Sequence, residues 1–495
     1  MNNQNLNNTT SPLLSADCIR FGLVFIIFLM KICLGNDHQL FPTKNLFQHD
    51  KIRNSPRSSF YDISNNPAFF RNTYTQNHTL YSIRAGRNIN NYSRQFDPKR
   101  KDNLFFRFNW IKQLNKNSTL AAEVKYNINY LSDVYRSLEK NYYNNYFSVT
   151  DTTTGNFNYQ GPELWLLYNH SINNKLQIGL KLDYQIERGL KDTYTECETI
   201  YRNLATKIGI AYQYDQNTLL GLFYRYFNNY SRYEAVKEYE DAFIKTWFGY
   251  HINRPENPGG LINKHDYQLG NKIGLNLERK NIFAANFGIR FNISYGIQRN
   301  KIQVGPQHYL SNRGLWKREG YQFSSNLFYN SRYKLGFLYL IYNNFYDWAS
   351  PHKYDVTLLD KNQEKIRLGG LFKSLLYPTF GFEFGFEFQA VTTYYEEYVA
   401  NFRYYDIRNK NSLMIRFNYR FHNHIKFILG GAYSHSQPDF HWKENDIFKT
   451  TKIELGLEKS YVFGRIQINI RYTKQDPDNV GEIIETYGIN CLYIK

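Results

Sequence analysis

The clearest pattern of hydrophobic and polar positions lies in residues 380–390. Phenylalanine occupies every even position from 380 to 388, and glycine, glutamate or glutamine occupies each odd position between them. Successive side chains of a β-strand point to opposite faces, so this spacing predicts a strand with one aromatic face and one polar face.

The same two-residue period recurs along most of the chain, and no helical period supplies a core for so many apolar faces. We therefore predict an all-β fold: a single transmembrane antiparallel up-and-down β-barrel of about 18 strands, with about 16 to 20 as the range. The range leaves open a further strand and its partner at residues 239–250. The predicted strands are residues 79–88, 103–114, 119–131, 158–170, 176–187, 202–214, 218–227, 265–277, 283–297, 319–330, 335–345, 365–372, 379–392, 412–421, 425–435, 447–458, 463–473 and 485–494.

The connections between the predicted strands alternate in length. Links of a few residues follow the even-numbered strands, and long links follow the odd-numbered ones. The longest are residues 132–155, 228–264, 298–318 and 346–364. Short periplasmic turns and long outer loops are typical of outer-membrane barrels. The alternation therefore favours a barrel in which the N-terminal and C-terminal ends of the chain both lie on the periplasmic side.

Composition agrees with transmembrane strands and excludes two other classes. Mean hydropathy is −0.61, too low for a helical membrane protein. Aromatic residues make up 18 % of the chain, with 45 Tyr and 38 Phe, whereas disordered chains are poor in aromatics. Alternate lipid-facing positions and aromatic girdles at both membrane interfaces account for this combination.

The chain is strongly basic, with a formal net charge of +18 and a pI near 9.3. Lysine and arginine are spread over strands and loops without a basic run of five or more, so we predict no nucleic-acid partner. A basic barrel has two natural anionic partners, lipopolysaccharide and anionic solutes. The sequence leaves both open.

The N-terminal residues 1–35 have the layout of a signal peptide. Arg20 precedes an apolar run at residues 21–30, which is too short to span a bilayer comfortably, and small residues put cleavage near Gly35. A membrane anchor is the alternative interpretation. Residues 36–76 show neither period and are predicted to form a periplasmic or lumenal plug, followed by the barrel at residues 77–495.

The four cysteines predict no disulfide framework. Cys18 and Cys33 lie in the predicted signal peptide, and Cys197 and Cys491 remain in the mature chain. We place Cys197 in a loop and Cys491 inside the last strand, so we expect no disulfide bond between them.

An Asn-Pro-Ala element precedes the first predicted strand. It resembles the N-terminal hatch region of FadL-like outer-membrane barrels, the long-chain fatty-acid transporters, in which glycine usually follows where this chain has phenylalanine. The resemblance implies plug residues Asn66, Pro67, Ala68 and Phe69, and hydrophobic solutes. A periplasmic turn entering the first strand is the alternative. More generally, residues 77–495 resemble the large outer-membrane barrels of diderm bacteria, which implies a bacterial outer-membrane location.

The polar face of the C-terminal strands contains charges of both signs. The predicted lumen-facing charged residues are Glu383, Glu387, Arg416, Arg420, Lys426, Glu454, Glu458 and Arg465. Counted from the short turns, Glu383, Arg420, Lys426, Glu458 and Arg465 are predicted to share one level. Such a row is either a constriction that screens solutes or ordinary wall structure, in which each exposed pair contributes about 0 to 1 kcal/mol.

The opposite face of the strand at residues 380–390 contains no charge. A charge on lipid-facing positions costs about 2 to 4 kcal/mol at mid-bilayer. The predicted lipid-facing residues are Phe380, Phe382, Phe384, Phe386 and Phe388.

No motif of the chain indicates a cofactor, a metal or a catalytic reaction. His435, Asp439 and His441 share one outer loop, but their spacing matches no metal motif. Ser434 beside His435 is not by itself a triad. We predict that the protein is not an enzyme. Tyrosines in residues 132–155 suit stacking on sugars or docking to a partner, with girdle packing as the alternative: Tyr135, Tyr142, Tyr143 and Tyr146.

These patterns lead to a function class and two alternatives. The first hypothesis is an outer-membrane channel for diffusion or uptake of small solutes. The second is a non-transporting accessory barrel that docks with an envelope secretion or uptake complex, and the third is a soluble secreted all-β binding protein. The expected partners are outer-membrane lipid, lipopolysaccharide, an unidentified small solute and an envelope protein. Lumen charges favour polar solutes, whereas the Asn-Pro-Ala resemblance favours hydrophobic ones, and the sequence does not decide between them.

Overall fold

A computed structural model describes most of the predicted barrel and a short segment before it. The described residues are 66–70, 77–90, 94–139, 142, 145–192, 196–236, 244–256, 261–282, 286–306, 309–331, 334–351, 357–377, 379–421, 425–437, 447–461, 464–477 and 484–494. The predicted signal peptide, residues 36–65 and 71–76 of the predicted plug, and the predicted strand starts at residues 283–285 and 463 lie outside them.

Twenty strands and one 3₁₀ turn, Pro67–Phe69, make up the described structure. The strands are β1 (His78–Asn90), β2 (Arg100–Asn115), β3 (Ser118–Ser137), β4 (Phe147–Ser171), β5 (Leu176–Lys191), β6 (Glu196–Gln213), β7 (Thr218–Val236), β8 (Ile244–Phe248), β9 (Ile252–Glu256), β10 (Leu261–Lys280), β11 (Phe287–Gly305), β12 (Ser311–Asn330), β13 (Lys334–Ser350), β14 (Leu359–Tyr377), β15 (Phe380–Glu397), β16 (Phe402–Phe421), β17 (Ile425–Ser436), β18 (Phe448–Tyr461), β19 (Gly464–Pro477) and β20 (Ile484–Ile494).

Eighteen of the described strands form one closed antiparallel barrel. Each wall strand pairs with its neighbour in sequence, β7 pairs with β10, and β1 closes the barrel against β20. Each predicted strand corresponds to one wall strand, so the predicted fold class and strand count are confirmed. We call the end with the short connections the turn end and the other end the loop end.

Two kinds of local prediction are wrong. The four long links predicted at residues 132–155, 228–264, 298–318 and 346–364 are each largely strand among the described residues, because the paired ladders continue beyond the alternating stretches toward the loop end. Cys197 lies in β6 and is fully buried, not in a loop. Cys197 and Cys491 are both free thiols.

Of residues 239–250, the structure describes 244–250, which form the first part of a hairpin. Its strands β8 and β9 pair with each other, and β8 also pairs with the start of β4. The hairpin is not part of the wall, and β7 passes directly to β10 in the sheet.

The wall has an apolar exterior and a polar interior. Large apolar side chains at alternate positions are about half exposed on the outside, including Leu275 at 58 %, Ile293 at 52 % and Leu455 at 53 %. Their sequence neighbours on the inner face include buried Asn276 and Asn292. This arrangement is the reverse of a water-soluble barrel. No helix among the described residues has the length and hydropathy needed to span a bilayer.

Candidate functional site in the barrel lumen

Residues 66–70 lie inside the barrel near its turn end, and we call them the inner segment. All five residues are buried. The Asn66 amide donates to the carbonyl oxygens of Ile210 at 3.3 Å and Leu222 at 3.2 Å, and to Asn276 Oδ1 at 3.0 Å. Asn66 Oδ1 caps the 3₁₀ turn by accepting from the Ala68 amide at 2.9 Å. One asparagine therefore both shapes the turn and fixes it to the wall.

The wall has a matching seat for the inner segment. Asn169 Nδ2 on β4 donates to the carbonyl oxygens of Pro67 at 3.1 Å and Ala68 at 2.8 Å. At Gly179 on β5, an added Cβ would lie 2.3 Å from the Pro67 carbonyl carbon. Only glycine leaves space for the turn at that position.

Two phenylalanines of the inner segment pack against apolar residues of the wall. Phe69 packs with Ala68, Ala211 and Leu219. Phe70 packs in a second group of apolar residues, which comprises Ile111, Ala121, Leu167 and Trp165. The structure thus places the predicted plug residues Asn66, Pro67, Ala68 and Phe69 together inside the barrel, in contact with β4, β5 and β6.

The predicted lumen-facing charges form linked ion pairs on the inner wall. Glu383 lies 3.1 Å from Lys373 Nζ and 3.5 Å from Arg416 Nη1. Arg416 also pairs with Glu454 at 2.6 Å, and Glu454 pairs with Arg471 at 3.0 Å. These contacts join β14, β15, β16, β18 and β19 into one chain of alternating charge.

The predicted level of Glu383 with Arg420 is wrong. The register places Glu383 opposite Arg416, and Arg420 opposite Lys426. Phe380 at the start of β15 pairs with Tyr419 near the end of β16, so Glu383, three residues further along β15, meets Arg416 and not Arg420.

Three of the remaining predicted charges, Glu458, Arg465 and Glu387, have other partners. Lys426 lies opposite Glu458, which pairs with Arg465 at 3.0 Å. Glu387 accepts a hydrogen bond from the Tyr339 hydroxyl.

A second structure fills the lumen at the loop end, and we call it the cap. It consists of the described residues between β3 and β4, the first residues of β4, and the β8–β9 hairpin. Its apolar side chains Leu138, Tyr146, Phe147 and Val149 form one packed cluster with inward residues of β6, β7 and β10–β16. The sequence pattern does not predict the cap, because the cap residues show neither a two-residue nor a helical period.

Buried polar contacts fix the cap to the wall. Lys264 Nζ of β10 donates to Glu139 Oε1 at 2.5 Å, and both side chains are 1 % exposed. The Tyr146 hydroxyl donates to Asp347, which also accepts from Arg318 Nε at 2.6 Å. Burial, with the Asp347 carboxylate beside it, raises the pKa of Tyr146 well above its usual range, so the hydroxyl stays a donor.

One carboxylate joins the hairpin to β15. Glu397 is fully buried and accepts from the backbone amides of Tyr250 at 2.6 Å and His251 at 3.2 Å. The His251 ring lies 3.1 Å away through Nδ1, and the Tyr395 hydroxyl donates at 2.5 Å.

Of the tyrosines predicted as a contact surface, Tyr142 and Tyr146 are buried and Tyr135 is half-buried. Tyr146 belongs to the cap cluster, and Tyr142 is 6 % exposed, with its ring centroid 3.9 Å from that of Phe96. Tyr143, Asp439 and His441 lie outside the described residues. Among the described residues, no group of three or more His, Cys, Asp or Glu could hold a metal ion.

Residues 67–478 match the model of a protein family described as "Family of unknown function (DUF6850)". No curated protein matches the chain. Neither comparison identifies the Asn-Pro-Ala element as that of FadL-like barrels, so that resemblance stays a prediction.

The chain also matches solved outer-membrane transporters at low identity. The ferric citrate transporter FecA matches with 7 % identity and a TM-score of 0.48 over 82 % of this chain, which spans 60 % of that protein. The outer membrane transporter YddB of Escherichia coli matches with 8 % identity and a TM-score of 0.42, covering 84 % of this chain and 80 % of that one. The toluene transporter TodX of Pseudomonas putida matches with 11 % identity and a TM-score of 0.33, covering 88 % and 93 %.

Proposed function

The chain belongs to the "Family of unknown function (DUF6850)", and we propose from its lumen that it is an outer-membrane channel for uptake of small solutes. The main support is the inversion of polarity in a closed wall: apolar side chains outside, hydrogen-bonded polar groups inside. Strands can cross hydrocarbon only where every backbone group is paired, and closure of β1 on β20 meets that condition.

Two obstructions favour a gated channel over an open pore. With the turn end in the periplasm, as in other outer-membrane barrels, the inner segment lies on the periplasmic side and the cap on the outer side. The inner segment is held by neutral hydrogen bonds, each contributing about 0.5 to 1.5 kcal/mol, and by the apolar contacts of Phe69 and Phe70. Contacts of this size allow displacement by a ligand or partner.

Reconstitution in planar bilayers tests the proposal. The intact chain is expected to give infrequent current steps, because both ends of the lumen are obstructed. Variants with a displaced inner segment are expected to give more frequent steps, because one of the two obstructions is removed. If a correctly folded variant in which both the inner segment and the cap are released also passes no current, the channel hypothesis is wrong.

The accessory-barrel hypothesis is the second candidate, and the cap favours it. A packed apolar cluster with the buried Lys264–Glu139 pair is costly to open, since breaking such a pair costs about 3 to 5 kcal/mol. A permanently capped barrel acts through its surface. Under this hypothesis, liposomes containing the intact chain stay impermeable to every solute tested.

A charge at the centre of the aromatic stripe is expected to destabilise the inserted barrel. Phe384→Arg puts a guanidinium on the outer face of β15, which costs about 2 to 4 kcal/mol in hydrocarbon. The matched variant Met414→Arg puts the same group on the inner face of β16, opposite Gly385 and Ala432, and is expected to cost less than about 1 kcal/mol. Urea titration of the chain folded in lipid vesicles measures both. Equal destabilisation by the two substitutions would contradict the assigned faces.

A further inference from the structure

Four cationic side chains form a row across the inner face of β5, β6, β7 and β10. Lys181 is directly opposite Lys207, Lys207 is opposite Arg225, and Arg225 is opposite Lys272. Each lies next in sequence to an apolar residue exposed on the outside, so the row faces the lumen. These outward neighbours are Leu180, Ile208, Tyr224 and Ile273.

The row has few carboxylates near it. The positions two residues before and after each cation share its face, and they are Gly179, Asp183, Ala205, Gly209, Phe223, Phe227, Gly270 and Gly274. Asp183 is the one acid of that set, 2.6 Å from Lys181. Like charges directly opposite in a sheet destabilise it. This wall therefore contains an electrostatic cost that an anionic ligand would remove.

The guanidinium of Arg225 is positioned to bind such a ligand. Its guanidinium carbon lies 5.3 Å from the centroid of the Phe227 ring, and that ring fills the space over Gly270, where an added Cβ would lie 2.1 Å from it. The Nε atom is buried without a hydrogen-bond acceptor in the described structure. Arginine binds oxyanions through such planar donors, often with two parallel hydrogen bonds.

The row lies directly above the inner segment. Lys181 and Lys207 are two residues from Gly179 and Gly209, which contact Pro67 and Asn66. Two residues of strand rise about 7 Å. The inner segment therefore forms a floor one side-chain layer below the cations, and the cap lies beyond them toward the loop end.

We propose that this row is the solute site of the barrel and that it binds a small polyanion with two or more phosphate or carboxylate groups. Adjacent strands are about 4.8 Å apart, so four cations span about 14 Å, which suits several linked oxyanion groups rather than one. Lys272 Nζ donates to Gln322 Oε1 at 3.0 Å, which fixes one end of the row. The assignment rests on the proposed channel function and names its solute class.

Equilibrium dialysis of the full chain in detergent micelles tests the site, with tripolyphosphate and propane-1,2,3-tricarboxylate as probes. Binding of either probe is expected, and the stronger probe identifies the phosphate or the carboxylate source. Lys207→Gln and Arg225→Gln are each expected to weaken binding roughly tenfold to a hundredfold, the range for a hydrogen bond to a charged group. Two single variants guard against misfolding of either one.

Lys125→Gln is the matched control. Lys125 also faces the lumen, but Glu163 lies opposite it and pairs with it at 3.2 Å. Its loss is expected to change affinity less than about twofold. An equal loss in this control would show general attraction to a basic lumen and overturn the site, as would no binding of either probe by the folded wild type. Conductance of the opened barrel is measured separately, so failure of the site leaves the channel hypothesis standing.

Discussion

Gly179→Val is expected to raise the frequency of open-channel steps in planar bilayers on the order of 100-fold. A valine Cβ at this position would lie 2.3 Å from the Pro67 carbonyl carbon and 2.4 Å from the Ala68 nitrogen. These are backbone atoms of a buried turn, so the inner segment has to leave its seat. Among the described residues, the inner segment makes at least five side-chain hydrogen bonds with the wall at about 0.5 to 1.5 kcal/mol each, so their loss removes about 3 kcal/mol or more, which corresponds to a shift of at least roughly a hundredfold.

Gly488→Val is the matched control for the first prediction. Gly488 also faces the lumen, on β20, but an added Cβ there has the Ala85 carbonyl oxygen as its nearest neighbour at 3.7 Å. Asn66→Ala tests the same seat without adding bulk to the wall, since it deletes the donor to Ile210, Leu222 and Asn276. Heat-modifiable gel mobility confirms that each variant folds. Unchanged currents in both Gly179→Val and Asn66→Ala would contradict the inner segment as an obstruction.

Glu397→Ala is expected to release the β8–β9 hairpin and increase the exchange of its backbone amide hydrogens about a hundredfold or more. The substitution leaves the amides of Tyr250 and His251 without their acceptor. Leaving a buried donor unsatisfied costs about 1 to 3 kcal/mol, so two of them cost about 2 to 6 kcal/mol. Hydrogen–deuterium exchange read by mass spectrometry on peptides covering residues 244–256 measures the effect.

Glu396→Gln separates loss of the acceptor from loss of charge at the end of β15. Glu396 pairs at 2.7 Å with Arg403, whose side chain is 71 % exposed. Glu396→Gln is therefore expected to leave hydrogen exchange in the hairpin unchanged. Glu397→Ala is also expected to increase solute entry from the outer side. If the amide hydrogens of the hairpin stay protected from exchange in Glu397→Ala, the apolar cluster around Phe147 is sufficient to hold the cap. In that case Glu397 does not fix the hairpin to β15.

Strand identity could be predicted from the sequence, because lipid and lumen impose opposite polarities on alternate residues. The stripe at residues 380–388 shows this most clearly. Strand ends could not be predicted, because β4 begins at Phe147, in a stretch where neither face contacts lipid and alternation is lost. The predicted register also failed at one point: Glu383 meets Arg416 rather than Arg420, because Arg420 lies at the turn end of β16 while Glu383 lies three residues beyond Phe380.

The candidate site was predictable only in part. The Asn-Pro-Ala resemblance indicated a plug, whereas its seat at Gly179 and Asn169 looks like any small or polar residue of a lumen face. The cap was missed because its contacts join residues far apart in sequence, such as Tyr146 with Asp347. The cations of the row at Lys207 and Arg225 are far apart in sequence. Only the register of three strand pairs shows that they are neighbours.

Spin-label scanning of residues 382–389 tests the central claim most directly. Single cysteines are placed at each position in a background with Cys197→Ala and Cys491→Ser, and the folded chain is put into lipid vesicles. We expect accessibility to oxygen to peak at the even positions and accessibility to a water-soluble nickel chelate to peak at the odd positions. A period of two with opposite phases would show that the phenylalanines face lipid around a polar lumen. Equal access of the nickel chelate at every position would contradict a membrane-spanning barrel and the channel with it.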